Sequence, residues 1–327
     1  MPHFKQILED AIRSRAFPGA SLVVGDKQFN MIEEAVGHFD YDPQSPAVEI
    51  DTIYDVASLT KVVVTTTLAM MLFEEGKLDL DAPIGRFTIR QLLTHSSGLP
   101  ARPLPLGEAG AKRRVRVAGF DFHLEYEPGT KTLYSDTGFI LLGQIIEHIG
   151  GAPLDSLARE RIFQPLGMSD TCFNPGPALV SRIPPTAPDI RGRVHDPAAA
   201  ALGGVAGHAG LFSTARDLAR FCRMMLRGGP SIELFTHPTE SVPGSSRALG
   251  WDTRSDEGSS SGHYFSMKSF GHTGFTGTSM WIDPMRGLYV IFLTNRVYPD
   301  PANLQIRDIR PKLHDAIILS LIPATCS

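Results

Sequence analysis

Ser58 stands three residues before Lys61, at the mouth of the apolar run "DVASLTKVVVTTTLAMMLFEEGKLDL" that begins at Asp55. Two readings are open. In the plainer one, Ser58 caps a helix and Lys61 is a solvated surface residue. In the other they are a nucleophile and its base. Residues three apart share a helix face. A serine that opens a helix carries an unpaired first-turn N–H, which can point at an oxyanion. The helix dipole favours negative charge at the same place. Apolar surroundings disfavour an ammonium, so the lysine pKa is expected to fall and the neutral amine to accept the serine proton.

Two further segments carry chemistry. "YSDTGF" (Tyr134 to Phe139) precedes a helical pattern. A Tyr134 hydroxyl beside Lys61 can share or relay the proton, and Asp136 can hold the lysine or the substrate. The same residues also suit an ordinary loop with a packed tyrosine and a capping aspartate. "GHTGFTGTSMW" (Gly271 to Trp281) places His272 and Thr273 between glycines on a strand. Glycine-rich strand edges admit a substrate backbone closely. The N–H of Phe275, after Gly274, would then complete an oxyanion hole with that of Ser58. The plain alternative is a hairpin that happens to contain a histidine.

Elements must bring these segments together. An amphipathic helix opens the chain, and "GASLVVGDKQFNMIEEAVGHFD" reads as strand, "GDKQ" turn, strand. The run after Ser58 is apolar on nearly every side, as in a helix buried at a domain centre, and ends at Gly76. Helices and loops follow, with Ser213 and Asp217 as helix-start candidates in "STARDLARFCRMMLRGG". Beyond Gly229 come short aromatic and β-branched runs, "YFSMKSFGHTG", "GTSMWIDP" and "GLYVIFLTN", which read as antiparallel strands. A final helix is expected over about Asp308 to Leu321. The fold class is α/β (α+β). Residues 1–57 and 230–327 form a sheet domain, and 58–229 form a helical domain inserted between them, with the site at their interface.

The 327 residues, 42% hydrophobic and 20% charged, describe a globular protein with a substantial core. A net charge of −4 supplies no drive toward nucleic acid or anionic lipid. The one basic run, Lys112 to Arg116, reads as a solvated loop. No stretch of about 18 apolar residues occurs, so no membrane span is expected. Cys172, Cys222 and Cys326 form neither a CxxC pair nor a disulfide framework. With acids among the apolar positions of the first helix, a cytoplasmic setting without signal peptide is expected. Oligomeric state is not legible.

"SLTK", "YSD" and "HTG", in this order, resemble the three signatures of the serine β-lactamase and penicillin-binding protein superfamily. "LLTHSSGLP", "EYEPGTKTLYSDTGFILLG" and "GHAGLFSTARDLARF" are similar to further stretches of its class C-like branch, which contains β-lactamases, D-stereospecific peptidases and carboxylesterases. The resemblance implies a helical domain beside an antiparallel sheet flanked by helices. It implies acylation of Ser58, activation by Lys61 and proton transfer by Tyr134, with no cofactor. Three departures bear on substrate. Asp136 falls where the family often has Asn, and a carboxylate there would raise the Lys61 pKa. His272 replaces the usual lysine and is largely neutral at pH 7, which weakens a carboxylate anchor. Arg296, in "LTNR", either supplies that anionic contact or is a solvated strand-end residue. Pro105 to His123 matches no family pattern.

The leading expectation is a serine hydrolase of small carboxylic esters or amides. The alternatives are a D-stereospecific peptidase or penicillin-binding protein acting on cell-wall peptides, a weak β-lactamase, and a non-catalytic penicillin-binding module. A metal-dependent hydrolase built on His195, His208 and His272 is a further class, but their spacing forms no known ligand set.

Overall fold

The computed structural model describes residues 3–102, 114–117, 120–239 and 242–321. The sheet draws its strands from both chain ends. Strands β1 (Gly19–Asp26) and β2 (Asn30–Gly37) come from the N-terminal part. A small sheet pairs β3 (Tyr54–Asp55) and β4 (Cys172–Phe173) with β5 (Leu211–Ser213) between them. Strands β6 (Asp252–Thr253), β7 (Phe270–Thr273), β8 (Ser279–Asp283) and β9 (Leu288–Thr294) follow. The main sheet is antiparallel in the order β6-β7-β8-β9-β1-β2, so β9 joins the two ends of the chain, with Val23 opposite Ile291.

Both faces of this sheet are covered, which is why β1 and β9 read as nearly unbroken apolar runs. Successive strand side chains point to opposite faces. Leu22, Val24, Val290 and Phe292 pack with α1 (His3–Arg13) and α5 (Ile306–Leu321). Val23, Ile291 and Leu293 face the larger core, which holds α2 (Thr67–Glu74), α3 (Asp136–Gly150) and α4 (Ala215–Leu226). A wider, π-helical turn over Lys61–Thr66 leads into α2. Val62, Val63, Val64 and Leu68 are wholly buried there, as the all-round apolar pattern requires.

Several local expectations shift. The N-cap of α4 is Thr214, whose hydroxyl accepts from the Asp217 N–H at 3.1 Å; neither Ser213 nor Asp217 takes that place. Asp217 instead accepts from the Asp170 N–H and Thr171 and pairs with Arg220. Helix α4 packs on β1, β8 and β9, although the sequence places its residues with the helical part. "YFSMKS" is not strand: the Asp283 carboxylate accepts from both the Ser266 N–H and hydroxyl, at 2.7 Å each, and turns the chain before β7. Helix α5 starts at Ile306, ahead of the expected Asp308. Within Pro105–His123, the strands Arg114–Val117 and Phe120–His123 pair with each other; the rest of that stretch, including Lys112, lies outside the described residues.

The loop before β5 is locked against the helical layer by close backbone approach. Gly207 lies over α3, where an added Cβ would sit 2.1 Å from the Phe139 carbonyl oxygen and 3.0 Å from Gly143 Cα. The Gly207 carbonyl accepts from the Thr65 hydroxyl at 2.6 Å. Both obstacles are backbone, so relief requires moving α3 or the loop. Gly207→Ala is expected to destabilise the fold by about 1–3 kcal/mol, the usual range for overpacking. An unchanged thermal midpoint would show that the contact is not tight.

Candidate active site

Ser58 is presented by a strained turn between β3 and the first helical turn. Ala57 has φ +47°, unusual for a residue with a Cβ. The buried Asp55 carboxylate fixes this turn: one oxygen accepts from the Ala57 N–H at 2.9 Å and the other from the His195 N–H at 2.7 Å. Burial pushes the Asp55 carboxyl up to about 6, against the pull of those two N–H groups. The β7–β8 turn holds the same segment from the other side. Thr276 and Thr278 donate their hydroxyls to the carbonyls of Asp55 and Val56, at 2.7 and 3.0 Å. Gly274 touches the turn so closely that a Cβ there would lie 2.5 Å from the Val56 oxygen. Strand end and nucleophile turn thus form one rigid unit. Among the described residues, neither the Ser58 nor the Phe275 N–H has an acceptor.

Lys61 is wholly buried. Its Nζ donates to Ser58 Oγ at 3.0 Å and to the His208 carbonyl at 3.0 Å, and lies 2.8 Å from Asp136 Oδ1. The expected fall in its pKa does not occur. Burial does press against the ammonium, but Tyr134 and the Asp136 carboxylate outweigh it, and the pKa is raised. The correction has a plain cause: the apolar run supplies walls, whereas the atoms at Nζ itself are oxygens. Asp136 therefore holds the lysine, as its carboxylate allows. Lys61 is a resting ammonium, and its Nζ protons are directed at Ser58, Asp136 and a carbonyl.

Tyr134 sits in a column of rings. Its ring centroid is 4.5 Å from that of His95 and 5.9 Å from that of His272, and Phe139 backs His95 at 5.0 Å. Lys61 Nζ lies 5.0 Å from the Tyr134 centroid and the Arg247 guanidinium 5.6 Å from it. Ser135 starts α3, its hydroxyl accepting from the Gly138 N–H at 3.0 Å. Its own N–H donates to His95 Nδ1 at 3.0 Å, which fixes the ring that backs Tyr134. Burial keeps His95 neutral, well below the usual histidine range.

His272 is likewise neutral, pushed down to about 3 by burial and then by Arg247 and Lys61. Its Nδ1 donates to the Thr273 carbonyl at 2.8 Å. Ser58, Tyr134, His272, Thr273, Gly274 and Phe275 line one cavity of about 350 Å³. Arg296 lines it too, but its guanidinium donates to the carbonyls of Phe275, Pro301 and Asn303. The expected anionic contact is therefore not where Arg296 spends its hydrogen bonds. Arg247, on the same wall and 3.8 Å from Asp252, is a cation that sequence reasoning missed. No local pattern in "SSRALGW" marks it. His95, inside "LLTHSSGLP", carried a signal only as part of the family-like stretch. The histidines weighed as metal ligands are used separately: His195 faces the Phe275 ring, and His208 bonds Asp196 at 2.9 Å.

The β-lactamase family model matches residues 4–312. A protein of Escherichia coli K12, provisionally named D-alanyl-D-alanine carboxypeptidase, is 33% identical over 78% of this chain and 71% of its own length. Among solved structures, a class C β-lactamase from Rhodobacter sphaeroides superposes with a TM-score of 0.74 at 21% identity, covering 98% of this chain and 100% of its own. Simvastatin synthase from Aspergillus terreus does so at 0.76 and 20% identity, covering 98% of each chain. The fold is that of β-lactamases and transpeptidases, and the chain belongs to the β-lactamase family of serine hydrolases.

Proposed function

We propose that Ser58 is the nucleophile of an acyl-transfer site that hydrolyses small carboxylic esters. The observation that carries this reading is the 3.0 Å contact between Ser58 Oγ and a wholly buried Lys61 Nζ, beside two N–H groups that have no acceptor among the described residues. Ser58 Oγ adds to the substrate carbonyl carbon, and the carbonyl oxygen takes the electron pair between the N–H groups of Ser58 and Phe275. Tyr134 relays the serine proton to the leaving alkoxide as the carbon–oxygen bond breaks. Water then adds to the acyl-enzyme and releases the acid, and Ser58 regains its proton. Lys61 stays charged through the addition, so its ammonium stabilises the negative charge that moves along Ser58 and Tyr134. Thr273 and Gly274 form the substrate wall. A reduced, cytoplasmic setting is our reading of the cysteine usage.

A second reading, cleavage of D-amino-acid peptides or slow turnover of β-lactams, is favoured by the relative named a carboxypeptidase and by Arg247. That guanidinium supplies a cation in the cavity where the neutral His272 does not.

Ser58→Ala is expected to abolish labelling by a fluorophosphonate probe and to lower p-nitrophenyl ester hydrolysis by roughly 10³-fold or more. Labelling that survives in Ser58→Ala would place the nucleophile elsewhere. Asp136 raises the Lys61 pKa, and Lys61 acts as an ammonium, so activity is present below that pKa and lost as pH rises through it. Asp136→Asn should therefore move the alkaline limb of the kcat/KM profile to lower pH, by roughly one pH unit or more. A limb that stays in place or moves upward would contradict this role.

A further inference from the structure

A substrate that lies along a strand edge is held through main-chain hydrogen bonds, and its N–H groups need carbonyl acceptors there. The edge beside Ser58 runs from Thr273 to Phe275, and each of its carbonyls is already used within the protein. Thr273 O accepts from His272 Nδ1 at 2.8 Å. Gly274 O accepts from the Gly277 N–H at 3.0 Å. Phe275 O accepts twice from one guanidinium, from Arg296 Nε at 3.0 Å and Nη2 at 2.6 Å. A carbonyl oxygen has two lone pairs, so Phe275 O is saturated.

Arg296 is itself held for this task. It is 4% exposed, and its Nη1 donates to Pro301 O at 2.7 Å and Asn303 O at 2.8 Å. Its guanidinium also lies 4.7 Å from the Phe275 ring centroid, with His195 on the ring at 5.6 Å. The Phe275 ring is 48% exposed and Leu304, on the same cavity, is 45% exposed. The wall beside the nucleophile therefore offers an unpaired N–H for an oxyanion and apolar surface for an acyl group. Thr273 O and Gly274 O each keep one lone pair, but the carbonyl of the residue that bears the oxyanion N–H, Phe275 O, has none left for an amide N–H.

We infer that Arg296 is a specificity-determining residue that closes the Phe275 carbonyl to substrate and selects plain acyl groups over N-acylated aminoacyl groups. An aminoacyl substrate whose N–H falls at the Phe275 carbonyl would bury that N–H without a partner, and a buried donor left unsatisfied weakens binding. This deepens the ester-hydrolase reading of Ser58 and rests on it. It also argues that recognition differs from that of an enzyme gripping a peptide backbone.

The test uses the intact protein and three p-nitrophenyl esters: of butyric acid, of N-acetyl-D-alanine, and of its N-methylated counterpart. Hydrolysis of the butyrate that is lost in Ser58→Ala establishes the reading beneath the inference; its absence from the unsubstituted protein would sink that reading and the inference with it. Given butyrate turnover, kcat/KM for the N–H and N–CH₃ aminoacyl esters should agree within about threefold, since the Phe275 carbonyl beside the oxyanion N–H is closed to the N–H. In Arg296→Met the freed carbonyl should favour the N–H ester by about tenfold, whatever the loss common to all esters. The ratio cancels any general weakening of the fold. A preference of tenfold or more for the N–H ester in the unsubstituted protein would overturn the inference, because Phe275 O or another acceptor would then be open. An equal ratio in a folded Arg296→Met would overturn Arg296 as its cause.

Discussion

A buried ammonium is the constraint around which this protein is arranged. An isolated charge in an apolar interior is costly, and the group normally neutralises instead. Lys61 keeps its charge because Tyr134 and the Asp136 carboxylate outweigh burial, and its Nζ is met by three oxygens: the Asp136 carboxylate, the His208 carbonyl and Ser58 Oγ. Each oxygen comes from a different part of the chain. Asp136 opens α3, His208 lies in the glycine-rich loop before β5, and Ser58 precedes the helix that carries Lys61 itself. Satisfying one cation thus fixes the relative positions of three segments. The π-helical turn at Lys61–Thr66 sits at this junction, where such turns often accompany functional sites.

The reacting atoms inherit their order from that arrangement. The nucleophile turn is strained at Ala57, and it persists because Asp55, Thr276 and Thr278 hold its backbone from both sides. The same hydroxyls tie the end of β7 to the turn, so the two oxyanion donors belong to one body and need little reorganisation when charge develops. His208 extends the network outward. Its imidazole bonds Asp196, whose carboxyl is pulled down to about 2 by that partner against the opposing effect of burial. The loop bearing the Lys61 acceptor is therefore itself anchored by a charged contact.

Much of this was legible in the chain, for physical reasons. Strong periodicity marked β1, β9 and the helix after Ser58, and the ordered signatures around Ser58, Tyr134 and His272 identified the segments that meet. What escaped was set by contacts between distant residues. The apolar neighbours of Lys61 in sequence pointed to a lowered pKa and Asp136 pointed to a raised one; only the fold, which sets the carboxylate 2.8 Å from Nζ, decides for the second. Arg296 read either as an anionic substrate contact or as a solvated strand-end cation; only the folded chain brings the carbonyls of Phe275, Pro301 and Asn303 to it. Arg247 and the backing ring of His95 had no local signature of a role. The cap at Thr214 was missed by one residue, within the usual uncertainty of helix boundaries.

The central claim is that Lys61 rests as an ammonium held by oxygen partners. Carbon-13 labelling at lysine Cε, with Lys61 assigned by its loss in Lys61→Arg, reads this charge directly by NMR as pH is raised. The account expects the Lys61 signal to stay that of an ammonium through neutrality and to titrate above the ordinary lysine value of about 10.4. A signal that titrates below about pH 8 would mean a neutral resting amine and would contradict it.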